Sequence, residues 1–233
     1  MYHERMYNEP MDWGRLVYLA RVACTEILDA VLPPHARTLR TKERGFDEIP
    51  LCVASHELHD SKILTLMDYR RPEVQDLIRS LKYDGNEYAA HLCAAVLADF
   101  LREEIASMRM FSPRPIFIIP LPLHDSRERE RGFNQIELVL RWLPQELKDG
   151  TRATVSDDLL VRTRATERQT HLARRERVAN MRGAFATRRP DLLRRAHVFL
   201  IDDVTTTGST LANAAKPLQK CEAEVTLIAL ARA

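Results

Sequence analysis

The sequence predicts an α/β fold in which short parallel strands are covered by helices on both faces. Three observations carry that expectation. Residues 116–119, 198–201 and 225–230 are short, continuous apolar runs of the kind found in strands buried on both sides. A helical pattern through Leu211, Ala214, Ala215 and Leu218 lies between the last two runs, which makes a strand–helix–strand unit. Ligands of such sheets are expected beyond the carboxyl ends of the strands.

Taken in order, residues 11–32 place Leu16, Leu19, Ala23, Ile27 and Val31 three and four apart, an amphipathic helix ended by Pro33 and Pro34. Residues 33–60 are polar, punctuated by proline and aperiodic, and read as a connecting segment with little regular structure. The domain boundary is drawn near Ser61, giving an N-terminal helix and irregular segment over 1–60 and a main domain over 61–233. Pro72 opens a helix whose apolar face is Val74, Leu77, Ile78 and Leu81. Residues 89–105 are rich in Ala and Leu and apolar nearly all round, a helix packed on two sides. Ile136, Val139, Leu140, Leu143 and Leu147 recur at helical spacing, with Pro144 expected to kink or shorten that helix.

Composition bounds the function. The 233 residues are enough for a substantial core, and 35 Lys+Arg against 33 Asp+Glu leave a net charge of +2, so the average composition demands no nucleic-acid partner. No apolar run approaches the length of a membrane span, and the first residues lack the apolar centre of a secretion signal, so a soluble, cytoplasmic protein without a membrane partner is expected. Cys24, Cys52, Cys93 and Cys221 are widely spaced with no CxxC pair, which predicts free thiols and no zinc site.

The chemistry concentrates in residues 197–211, HVFLIDDVTTTGSTL, where a strand runs into two acids and then a loop of small hydroxyl residues around one glycine, with a helix directly after. Successive amides at a helix N-terminus, with Thr205, Thr206, Thr207, Gly208, Ser209 and Thr210, suit a monophosphate. The spacing and lysine of a nucleoside-triphosphate loop are absent. Carboxylates before such a loop repel a polyphosphate but accept hydrogen bonds from sugar hydroxyls, so Asp202 and Asp203 suit a ribose diol. The competing structural readings are a buried helix-capping Asp or an acidic pocket like that of receiver domains.

The apolar run, Asp-Asp, Val and TTTGST resemble the phosphoribosyl pyrophosphate (PRPP) signature of type I phosphoribosyltransferases. Residues 120–124 (PLPLH) with Arg129 and the RGFNQ that begins at Arg131, and then RTRATERQTHLARRERVANMRGAF, narrow the resemblance to the competence-protein ComF family over about residues 60–233. Many members of that family carry a four-cysteine zinc ribbon at the N-terminus, which this chain lacks. The resemblance implies a type I phosphoribosyltransferase fold with a helical hood and a Mg²⁺-dependent transfer in which a base-like acceptor displaces pyrophosphate from ribose C1. Asp202 and Asp203 become catalytic, and residues 205–210 bind the 5′-phosphate. Leu121, Pro122, Leu123, His124, Arg129 and Arg131 bind pyrophosphate. Arg164, Thr166, Gln169, Arg177 and Asn180 belong to a closing lid.

Bland alternatives stand beside these roles. Glu128 and Glu130 alternate with Arg127, Arg129 and Arg131, as on a solvated surface, and the seven arginines between 162 and 182 against two glutamates fit a nucleic-acid or acidic-protein face as well as a lid. Lys82 reads as a neutraliser of a helix dipole, His91 as a satisfied core residue, and Trp13 and Trp142 as packing residues. The partners expected are PRPP and its acceptor, with single-stranded DNA, a competence or recombination protein, or a homodimer as further expectations. A non-catalytic PRPP-binding adaptor in DNA uptake is the alternative function.

Overall fold

The computed structural model describes residues 35–58, 61–110, 113–123, 131–163 and 184–233. The helix expected over 11–32 and the residues His124, Arg127, Arg129, Arg164, Thr166, Gln169, Arg177 and Asn180 lie outside the described residues.

A six-stranded sheet in the order β1-β2-β8-β7-β3-β4 forms the centre. Its strands are β1 Leu51–Leu58, β2 Ser61–Asp68, β3 Ile116–Pro120, β4 Thr154–Val155, β7 His197–Thr205 and β8 Glu224–Arg232. Neighbours β2, β8, β7, β3 and β4 are parallel, and β1 pairs antiparallel with β2 at one edge. The apolar runs at 116–119, 198–201 and 225–230 all fall on strands, and the α/β expectation holds.

Side-chain alternation divides the core in two. Ile116, Ile118, Phe199 and Ile201 pack into a layer built from α2 Pro72–Asp84, α3 Glu87–Arg109 and α4 Gln135–Arg141. Ile119, Val198 and Leu200 face a second layer, with α6 Ser209–Lys220 and the two-stranded β5 Leu160–Arg162 and β6 Phe185–Thr187. The short α5 Pro190–Leu193 contributes Leu193 to that second layer. Pro72 occupies the first turn of α2, Asn86 accepts the Ala89 amide at the start of α3, and α4 ends at Arg141 before Pro144.

Residues 33–60 require a correction. In place of an irregular connection they contain α1 Ala36–Lys42 and β1, whose hairpin with β2 puts residues on both sides of Ser61 into one sheet. The edge strand exposes Leu51 and Val53, so its sequence shows no clean alternation of buried and exposed side chains. Helix α1 is fastened to α2 by Arg37, whose guanidinium donates to both carboxylate oxygens of Asp84 at 2.9 and 2.6 Å, and by Thr38 Oγ1 at 2.7 Å. Burial pushes the Asp84 carboxyl up, but the donors from Arg37 and Thr38 outweigh it and hold the group below its ordinary value.

At the opposite end of the sheet from the β7 loop, His197 hydrogen-bonds Thr226 Oγ1 at 2.9 Å. Burial pushes its imidazole pKa down, Glu224 partly restores it, and Arg114 opposes protonation further. His56 shifts the same way, through burial and the guanidinium of Arg232 that contacts it. A histidine whose folded pKa lies below the unfolded value of 6.5 leaves stability intact above that pH and lowers it as the pH falls, because the unfolded chain binds the proton more readily. The urea midpoint is therefore expected to fall from pH 7.5 to 5.5. The fall should be shallower in His197→Gln, by up to about 1.4 kcal/mol per pH unit, and identical profiles would remove His197 from the titration.

A candidate anion site at the switch point of the sheet

Strands β3 and β7 are adjacent and parallel, with Pro120 beside Ile201 and the Leu121 amide donating to the Ile201 carbonyl at 2.7 Å. From β3 the chain goes on to α4 in the first layer, whereas from β7 it goes on to α6 in the second. The two chain paths diverge between neighbouring carboxyl ends, which is where open α/β sheets receive ligands.

The β7 loop presents backbone and hydroxyl donors at the start of α6. Thr205 is held in the sheet, its carbonyl accepting the Ala233 amide at 3.0 Å. Thr206 and Thr207 are exposed, and Gly208 caps α6 at φ +71°, a left-handed conformation that a residue with a Cβ adopts only with strain. Thr207 Oγ1 donates to Ser209 Oγ at 3.1 Å, and the Ser209 carbonyl accepts from Asn213 at 2.8 Å. Among the described residues nothing accepts a hydrogen bond from the amides of Thr206, Thr207 or Gly208, and Ser209 and Thr210 begin the helix, where amides have no intrahelical acceptor. These donors and the helix dipole favour negative charge.

The two acids differ in setting. Asp202 is half-buried, its Oδ1 accepts the Asp203 amide at 2.8 Å, and strand alternation assigns it to the face of Val198 and Leu200. Asp203 is 4% exposed and turns into the first layer. Its Oδ2 accepts Gln135 Nε2 at 2.6 Å and lies 2.9 Å from Lys82 Nζ, while Oδ1 accepts the Val204 amide at 2.6 Å. Arg131 donates to Gln135 Oε1 at 3.1 Å and lies 5.6 Å from the Tyr83 ring centre, with the Arg37 guanidinium 5.7 Å from the same centre. Asn134 completes this floor by capping α4 and donating to the Leu121 carbonyl at 3.3 Å.

The structure thus gathers Asp202, Asp203, residues 205–210, residues 121–123 and Arg131 at one end of the sheet. Sequence reasoning missed Lys82 and Gln135 as partners of Asp203. The RGFNQ motif contained Gln135, but nothing local marked Lys82, whose ion pair with Asp203 is purely tertiary. At Gly85, φ +57° after α2, a Cβ would be strained by the left-handed backbone and would meet the Phe133 ring at 3.1 Å, a contact the ring must relieve by a few tenths of an ångström. The loop before α4 therefore packs tightly on the end of the Lys82 helix. His91 is exposed and edge-on to Trp142 at 5.3 Å, which corrects its reading as a core residue. The half-exposed Trp142 indole also donates to Glu87 at 2.8 Å.

Among the described residues, no three His, Cys, Asp or Glu side chains cluster to hold a metal. Mg²⁺ ordinarily takes only one or two carboxylates along with water and substrate phosphates, a sparse mode with which the half-buried Asp202 before the β7 loop is compatible. Cys52, Cys93 and Cys221 are free thiols. Burial, with a contribution from the negative charge of Asp203, pushes the Cys93 thiol up to about 12. A thiol reagent at pH 8 is expected to label the exposed Cys52 in the folded protein and Cys93 only after denaturation; mass spectrometry of the labelled peptides checks this. Native labelling of Cys93 would contradict its burial.

The fold is α/β, a mostly parallel mixed sheet flanked by helices and compatible with a Rossmann-like arrangement. No family model matches the chain. It is 33% identical over 159 residues to the DNA utilization protein YhgH of Salmonella typhi and 33% identical over 158 residues to that of Escherichia coli K12, in each case over 67% of this chain and 65% of the relative. The chain thus spans slightly less than two thirds of the length of those relatives. It is 30% identical over 175 residues to competence protein F of Haemophilus influenzae, covering 74% of this chain and 73% of that protein. The chain belongs to the ComF family. No helix among the described residues is long and apolar enough to cross a membrane.

Proposed function

We propose that the chain is a PRPP-binding, Mg²⁺-dependent phosphoribosyltransferase of the type I fold, in which a base-like acceptor displaces pyrophosphate from ribose C1 and takes the phosphoribosyl group. The reading is carried by the loop amides of residues 206–210, which follow two acids at the end of β7 and have no acceptor among the described residues. Thr206 to Thr210 hold the 5′-phosphate by amide and hydroxyl donors. Asp202 accepts from the ribose hydroxyls, and Asp203 adds negative potential below C1 as that carbon becomes cationic. Residues 121–123 and Arg131 flank the pyrophosphate, where guanidinium groups suit its oxygens, and the family resemblance assigns His124 and Arg129 to the same role. Mg²⁺ bound by Asp202 and the substrate would neutralise charge on the departing pyrophosphate.

The names of the relatives, a DNA utilization protein and a competence protein, favour a second reading in which the chain binds PRPP or single-stranded DNA as an adaptor and transfers nothing. Incubation with Mg²⁺-PRPP and a pool of nucleobases separates the two. Pyrophosphate release that depends on one base supports the transferase. Binding of PRPP without release, together with salt-sensitive retention of single-stranded DNA, supports the adaptor.

A further inference from the structure

We propose that Lys82 is a substrate contact, its ammonium holding the pyrophosphate oxygens of the donor while Asp203 fixes its position. This deepens the PRPP reading and rests on it. Lys82 lies in the last turn of α2, in the first layer, yet its Nζ reaches 2.9 Å from Asp203 Oδ2 at the carboxyl end of β7. An ammonium has three donors. Among the described residues Asp203 is the one carboxylate in contact with it, and the side chain retains 22% of its exposure.

The surroundings are arranged to orient that charge rather than consume it. Asp203 Oδ2 is shared between Lys82 and Gln135, and Gln135 in turn accepts from Arg131. Two cations therefore converge on one carboxylate, Lys82 directly and Arg131 through the neutral Gln135 amide. Gln135 and Arg131 tie this cluster to the β3 side of β7, since they belong to the segment that follows residues 121–123. The loop of residues 206–210 leads instead into α6 in the opposite layer. An anionic group bound near Lys82 is thus distinct from the one at the β7 loop. A donor carrying phosphate at one end and pyrophosphate at the other has the charge distribution to occupy both.

The test uses isothermal titration of the full chain with three ligands in Mg²⁺: PRPP, inorganic pyrophosphate and ribose 5-phosphate. Lys82→Gln removes the charge but keeps a donor for Asp203, and its urea unfolding curve checks that the fold is retained. Lys82→Met serves as a second charge-removing variant if Lys82→Gln proves unstable, and Lys82→Arg, which preserves the charge, should in contrast to either retain PRPP binding to within about fivefold. Lys82→Gln is expected to weaken PRPP and pyrophosphate by about 30-fold and ribose 5-phosphate by less than about threefold. Unchanged PRPP affinity, or an equal loss for all three ligands, would overturn the assignment and leave Lys82 as the counter-ion of Asp203. A wild-type chain that binds none of the three would overturn the donor reading itself, a pattern distinct from failure at Lys82 alone.

Discussion

Asp203→Ala is expected to destabilise the protein by about 3 kcal/mol, measured as a fall in the urea-unfolding free energy at pH 7. The carboxylate is 4% exposed and satisfies three donors, Lys82 Nζ, Gln135 Nε2 and the Val204 amide. Removing it takes the acceptor from an ammonium and two amides on the first-layer side of the sheet. A buried donor without an acceptor costs about 1–3 kcal/mol, and an unpaired charge costs more. The partial exposure of Lys82 sets the expected value at the low end of the range for a broken buried pair, since the ammonium can turn toward water. Asp203→Leu combined with Lys82→Met should recover much of the loss, because an apolar pair of similar volume removes the orphaned charge as well as the acceptor. A change below about 0.5 kcal/mol in Asp203→Ala would mean that the pair carries no structural weight.

Ser209→Glu is expected to move stability and binding in opposite directions. Ser209 is the first residue of α6, where a carboxylate faces the positive end of the helix dipole and should add about 0.3–1 kcal/mol. The same carboxylate would compete with a phosphate for the amides of residues 206–210. PRPP affinity should fall by about 100-fold, and the ligand-induced rise in melting temperature should vanish while the unliganded value stays level or rises. Because the fold gains, loss of binding in this variant cannot be ascribed to unfolding. Retained affinity would move the 5′-phosphate away from this loop.

The parts of the molecule legible in the sequence are those whose chemistry is local. Ile118, Ile119, Phe199, Leu200 and Ile228 are buried from both sides, so their strands read as continuous apolar runs. The loop at 205–210 advertises itself because its glycine and hydroxyls stand next to one another in the chain. Strand β1 was illegible because it is held by backbone pairing to β2, with Leu51 and Val53 facing outward, so hydrophobic periodicity carries no signal. Strands β5 and β6 span three residues each, too few for a pattern to emerge. From the sequence Lys82 reads as a helix-end charge because the dipole explains its position in α2 equally well; only the packing of α2 against the carboxyl end of β7 reveals Asp203 as its partner.

Strand order has a consequence for how the polypeptide reaches this state. β8 comes after every other strand in the sequence yet inserts between β2 and β7, making parallel ladders with both. Until it arrives, β2 and β7 have no direct ladder between them, and each presents an unsatisfied edge to the solvent. Assembly must wait for contacts of very long sequence separation, so folding should be slow, and the partly synthesised chain is the form most exposed to edge-to-edge aggregation and most dependent on chaperones.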